Sequence, residues 1–210
     1  MTPAEILRIA LPVAVVTVLL VTLVIIVRRR NAARELALSE LASLKELKYT
    51  PGRKDFFQGS LPGKVTGVYR GRSLTLHYRD DPTMTRQGYN RANTSAVVEM
   101  VIQNRKQGSL TLKTRPTRLL VNKPPVSGDL FDQRIAFSSR PNTFARAMVV
   151  NPGLRQRLAE LLTKDWMNPG KINVVRTGSL VFVRGGIYHS SADLVVLLDT
   201  LSDLADIIDI

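Results

Sequence analysis

The sequence predicts an α+β fold: an N-terminal transmembrane helix and stalk, then an antiparallel β-sheet domain with C-terminal helices. Three observations carry this. One uninterrupted apolar run lies near the start of the chain, period-two alternation recurs through its middle, and two leucine stripes at helical spacing stand near its end. The organisation that follows is an anchor at residues 1–30, a juxtamembrane stalk helix at 31–48, and one soluble domain at 49–210.

Residues 9–27 read IALPVAVVTVLLVTLVIIV, with two threonine hydroxyls as their only polar side-chain groups. That length spans a hydrocarbon core of roughly 30 Å. Thr2-Pro3-Ala4-Glu5 places a capping hydroxyl, a proline and a glutamate where a helix N-terminus favours them, and Pro12 is a kink that membrane helices tolerate. Arg28, Arg29 and Arg30 follow the run, the reverse of a secretory signal, so the positive-inside rule places the N-terminus outside the cell membrane and the domain in the cytoplasm. Asn93-Thr94-Ser95 matches a glycosylation acceptor, which this topology leaves unmodified.

The stalk continues the helical pattern through Ala33, Ala37, Leu38, Leu41 and Leu44. Its stripe has two readings: a seam for a homo-oligomer or a neighbouring membrane subunit, or a face packed on its own domain. A chain beginning near Tyr49 is expected to fold without it. After Thr50-Pro51-Gly52, a loop containing Phe56-Phe57 leads to a hairpin turning at Gly71, in which Leu74, Leu76 and Tyr78 share one face and Thr75, His77 and Arg79 the other.

Residues 80–95 read as a long polar loop, of the kind that often carries a binding surface. A second hairpin is expected to join residues 94–104 to 109–115, giving the sheet an apolar face with Leu110 and Leu112 and a basic one with Lys113 and Arg115. A strand at 117–121 and another at 130–138, with Phe131, Ile135 and Phe137 inward, complete the sheet's middle. Asn151-Pro152 breaks two helical pieces, the second carrying Leu154, Leu158, Leu161 and Leu162. A hairpin turning near Thr177-Gly178 precedes a helix with a capping box at Ser190 to Asp193, a leucine stripe and an acidic face of Asp199, Asp203 and Asp206.

Composition excludes several chemistries. With no cysteine there is no disulfide framework, thiolate metal site or thiol nucleophile. His77 and His189 stand without spaced carboxylates and read as a solvated strand residue and a loop residue. Asp80-Asp81 reads as a turn, and no phosphate-binding loop, nucleophile elbow or zinc-protease pattern occurs. No catalytic, cofactor-binding or metal-binding residue is assigned.

The formal charge is +13, and residues 49–140 hold 16 basic residues against 6 acidic ones. Arg70, Arg72, Arg79, Lys113, Arg115 and Arg118 are therefore candidates for an anion-binding surface. Anionic lipid is the first ligand, an acidic protein the second, and nucleic acid a distant third. The competing reading is a solvated basic face partly neutralised by the acidic terminal helix.

The string GDLFDQRIAFSSRPNTFARAMVVNPGLRQRLAELL, with the earlier GVYRGRSLTLHY, resembles a pattern in uncharacterised bacterial membrane-anchored proteins. There a glycine-arginine hairpin is followed by a strand, a proline and a leucine-rich helical pair. The resemblance implies a bacterial source and one domain, and brings no catalytic residues. The expected function is a non-enzymatic binding or assembly module, such as an accessory subunit of a membrane complex. A lipid- or ligand-binding domain is the alternative, and an enzyme of unrecognised type the third reading.

Overall fold

The structure, a computed structural model, describes the backbone of all residues except 1–2, 56–58, 85–89, 115–129, 142, 145–147, 149, 164–169, 187 and 210. Side chains are further undescribed at 3–13, 30, 54–55, 59–61, 80–84, 90–93 and 130. Helix α1 (Pro3–Leu44) is one continuous element that covers both the expected anchor and the expected stalk. From Val15 to Val27 its large apolar side chains are 47% to 64% exposed. Among the described residues no helix is long and apolar enough to cross a membrane. The described apolar side chains at 14–27 cover about 21 Å at 1.5 Å per residue, against a core of roughly 30 Å.

The domain is built on an eight-stranded sheet whose pairings are all antiparallel. Its strands are β1 (Lys48–Thr50), β4 (Lys64–Tyr69), β5 (Arg72–Met84), β6 (Asn90–Val101), β7 (Ser109–Thr114), β8 (Ile135–Arg140), β9 (Gly170–Val175) and β10 (Ser179–Gly185). Their order across the sheet is β1-β4-β5-β6-β10-β9-β7-β8, and β2 (Arg53–Asp55) with β3 (Gly59–Leu61) forms a separate pair. Helices α2 (Leu130–Arg134), α3 (Pro152–Thr163) and α4 (Ser191–Asp209) complete the fold.

The predicted hairpin at Gly71 is present. Arg70 and Gly71 both have positive φ, 47° and 80°, the conformation whose twist suits a two-residue connection between strands. The hairpin of β9 and β10 is also present, with Gly178 at φ 87°. A Cβ there would come within 2.5 Å of the Ile102 carbonyl oxygen, so glycine is required by conformation and by space.

Alternation along each strand sends Val65, Leu74, Leu76, Val98, Met100, Leu110, Leu112, Ile172, Val174, Leu180 and Phe182 to one face. Against it pack the C-terminal part of α1, then α4, then α3. The stalk stripe packs on its own domain: Ala37, Leu38, Leu41 and Ala42 are at most 3% exposed and belong to the core. Leu44, expected in that stripe, is the last residue of α1 and is 65% exposed, whereas Ala42 takes a place in the buried seam. Helix α3 begins as its sequence implies, with the Asn151 side chain accepting a hydrogen bond from the Leu154 amide at 3.0 Å.

Three expectations are corrected. Residues 94–104 and 109–115 do not form a hairpin, since β10 and β9 lie between β6 and β7. The connection crosses the sheet's end instead, where the Asn104 side chain donates to the Gly108 and Val175 carbonyls at 2.8 and 3.0 Å. The polar loop at 80–95 is largely strand: β5 and β6 pair from Leu74↔Met100 to Met84↔Asn90. Backbone pairing does not need apolar side chains, so the hydrophobic pattern could not show it. Phe131 lies in α2 rather than in a strand, and Phe137 is 46% exposed on edge strand β8. The expected strand at 117–121 lies outside the described residues.

Candidate docking face and charged clusters

Arg70 and Arg72, two of the candidate cations, are held inside the chain. The Arg70 guanidinium lies 2.7 Å from Asp203, 3.7 Å from Asp206 and 3.9 Å from Asp199. Arg72 lies 2.7 Å from Asp206 and 2.8 Å from Asp209, and Arg157 of α3 meets Asp203 at 2.6 Å. Tyr69 donates to Asp199 at 2.8 Å, and the Asp209 carboxylate also accepts the Gln103 and Asn104 amides. The acidic face of α4 is thus a clasp that closes onto the β4–β5 turn. Partial burial acts to raise the Asp203 pKa, but hydrogen bonds from Arg70 and Arg157 outweigh it and hold the carboxyl below its ordinary range. Burial and the bond to Asp199 push the Tyr69 phenol up to about 12.

The other face of the sheet is not covered by any described helix. Val97 is buried there, Val181 and Val183 are half-buried, and Val68, Val101 and Val175 are exposed. Around this band stand Lys48, Lys64, Arg79, Lys113, Lys171 and Arg140, all exposed, with Glu99 as the one carboxylate among the described side chains of that face. Lys113 and Lys171 are direct cross-strand partners, an arrangement that opposes folding through like-charge repulsion. His77 lies on the same face; burial lowers its pKa, Arg79 and Lys64 add to this, and Glu99 opposes it. Arg79 and Lys113 are therefore where the sequence placed them, on a basic sheet face. Arg115 and Arg118 lie outside the described residues.

A second cluster, missed from the sequence, sits at the end of the sheet nearest the apolar part of α1. Arg34 of α1 is 5% exposed and Arg184 of β10 is 9% exposed. Register sets Arg184 in one row with Tyr78: Tyr78 pairs with Ala96, and Ala96 with Arg184, across β5, β6 and β10. The Arg34 guanidinium lies 5.4 Å from the Tyr78 ring centre and 3.3 Å from Glu35. The Tyr78 hydroxyl donates to the Tyr188 carbonyl at 3.3 Å and accepts the Tyr188 amide at 3.1 Å. Arg184 donates to the Tyr188 hydroxyl at 3.0 Å and lies 5.1 Å from its ring centre. Burial pushes the Tyr78 phenol up to about 12 and also raises that of Tyr188, so both remain protonated donors.

Glu35 is shared further, accepting from the Tyr49 hydroxyl and from the Gly63 amide at 3.1 Å. Burial would raise its pKa, but these bonds and Arg34 lower it. The sequence signal for the cluster was an arginine at an inward position of SLVFVRG, in register with Leu180 and Phe182.

Between α3 and α4 lies a groove of about 400 Å³ whose polar lining includes Arg157, Glu160, Thr163, Tyr188, Asp193 and Thr200. It offers both charges but no cysteine and no histidine paired with a nucleophile. Among the described residues no group of three histidines or carboxylates could hold a metal ion. No family model, no curated protein and no solved structure matches the chain.

Proposed function

We propose that the chain is a single-pass, membrane-anchored, non-enzymatic assembly module whose uncovered sheet face docks an acidic partner protein. The observation that carries the reading is the exposed apolar surface of α1 at residues 15–27, which a protein in water does not leave bare. Residues 9–27 are long enough to cross a bilayer, and the arginines at 28–30 place the domain on the cytoplasmic side. A bilayer around this segment removes its apolar side chains from water.

The docking face combines a valine band with a cationic surround, the composition of an interface with an acidic surface. A lipid-binding role is weaker than the sequence alone implied, because Arg70 and Arg72 are spent on the clasp. The test is site-specific photocrosslinking from Thr111 in cells that make the full chain, with and without Lys113→Glu and Lys171→Glu. A discrete protein adduct that disappears in the charge-reversed chain supports docking. Adducts with lipid alone, or adducts indifferent to the reversals, overturn it.

A further inference from the structure

Helix α1 sets which end of the open sheet face lies toward the anchor. At one end of their contact the Glu35 carboxylate accepts the Gly63 amide at 3.1 Å, and Arg34 lies 5.4 Å from the Tyr78 ring centre. At the other end the Lys45 ammonium lies 5.8 Å from the Tyr69 ring centre. Strand β4 runs from beside Gly63 to Tyr69 over the same interval, so the helix follows the strands and its apolar segment leaves the domain at the Glu35 end. On the open face the row at that level is Lys64, His77, Val97, Val183, Lys171 and Lys113, each paired with the next across β4, β5, β6, β10, β9 and β7. Its three lysines are exposed. The next row outward runs from Lys48 through Glu99 to Thr111, and its one lysine cancels its one glutamate. Net positive charge in these two rows therefore sits in the one nearer the anchor.

We infer that the partner docked on this face is itself a membrane-spanning protein, which meets Lys64, Lys171 and Lys113 with an acidic juxtamembrane segment. The inference rests on the anchored docking proposed above and names the kind of partner. Glu35 lies eight residues beyond Val27, about 12 Å along a helix, whereas the headgroup layer outside the hydrocarbon is about 5–8 Å deep. With Val27 at the hydrocarbon edge, the lysine row stands just outside the headgroups. A chain leaving the same bilayer passes at that height, and confinement to the membrane raises its effective concentration at the row. Val97 and Val183 stand between the lysines, an apolar centre with a charged margin that suits a protein surface better than a headgroup layer.

The test follows the photocrosslinked adduct from Thr111 of the full chain in membranes. In one arm the membranes are stripped with carbonate and returned to neutral pH before irradiation, which removes proteins that do not span the bilayer. In a second arm seven helix-forming residues are inserted after Arg30, which lifts the face by about 10 Å and turns it by only about 20°. A spanning partner should still be captured after stripping, and its adduct should fall at least about tenfold with the insertion, because the lysines then stand more than a Debye length from its carboxylates. In a third arm Lys64→Glu should weaken the adduct, whereas Arg140→Glu, on the row through Ser109 that is farther from the anchor, should not. The urea midpoint of each variant reports folding, and the stripping arm needs no variant. An adduct lost on stripping, or one that a folded insertion variant keeps in full, overturns the inference and leaves docking of a soluble partner standing. Equal effects of Lys64→Glu and Arg140→Glu also overturn it. The absence of any protein adduct from the unaltered chain overturns the docking reading as well.

Discussion

Removing residues 31–48 should cost the domain most of its stability, although those residues read from the sequence as a stalk. Leu38 and Leu41 are fully buried, with Ala37, Ala42 and Leu47 beside them in the core. Truncating one buried leucine to alanine costs about 2–5 kcal/mol, so losing both removes about 4–10 kcal/mol from a total that is typically 5–15 kcal/mol. Two chains decide the matter, one beginning at Asn31 and one at Tyr49, compared by urea unfolding followed by circular dichroism. The longer chain should unfold cooperatively, and the shorter should show a collapsed midpoint, a non-cooperative transition or exposed apolar surface. Leu41→Ala in the longer chain should lower the melting temperature by roughly 5–20 °C. An equal midpoint and slope for the two chains would refute the reasoning, and would mean that the helix rests on a core already complete without it.

Further outcomes follow from the charged clusters. Arg72→Ala opens the clasp at Asp206 and Asp209 and should cost about 1–2 kcal/mol in chemical denaturation, with no change in the sheet's circular dichroism. Asp203 and Glu35 have folded pKa values below their ordinary 3.8 and 4.5, so the unfolded chain binds protons first as pH falls. Their stabilisation should be complete above about pH 4.5 and drain away as pH drops through the lower folded values, an acid loss that Asp203→Asn should blunt in a pH series of melts. Lys171→Glu turns a repulsive cross-strand pair with Lys113 into an attractive one, and should stabilise the domain by about 0.2–1 kcal/mol while weakening capture of an acidic partner.

Much of the architecture is legible in the residues because burial and local geometry agree. Leu74, Leu76 and Tyr78 alternate, Gly71 and Gly178 turn, Asn151 caps α3, and the leucines of α4 repeat at helical spacing. Strand order is less legible, since a short connection between β6 and β7 looks like a hairpin. Only the register, with β10 seated beside β6, shows that the chain crosses over. The β5–β6 extension was hidden because its polar side chains carry no burial signal.

The candidate surface divides the same way. Lys113 and Arg79 follow from strand parity, which local sequence reveals. The fates of Arg70 and Arg72 depend on aspartates more than a hundred residues away, and Arg34 is linked to Arg184 through Tyr78 and Tyr188. Such contacts are set by topology, and spacing along the chain does not encode them.

The central claim, that residues 9–27 are held in a membrane while the domain stays outside it, is tested most directly by alkaline extraction of membranes from cells that make the full chain. The chain should remain in the pellet after carbonate treatment, and a chain lacking residues 1–30 should be released. Release of the full chain at alkaline pH would contradict the account, because the apolar side chains from Val15 to Val27 would then be covered by protein rather than lipid.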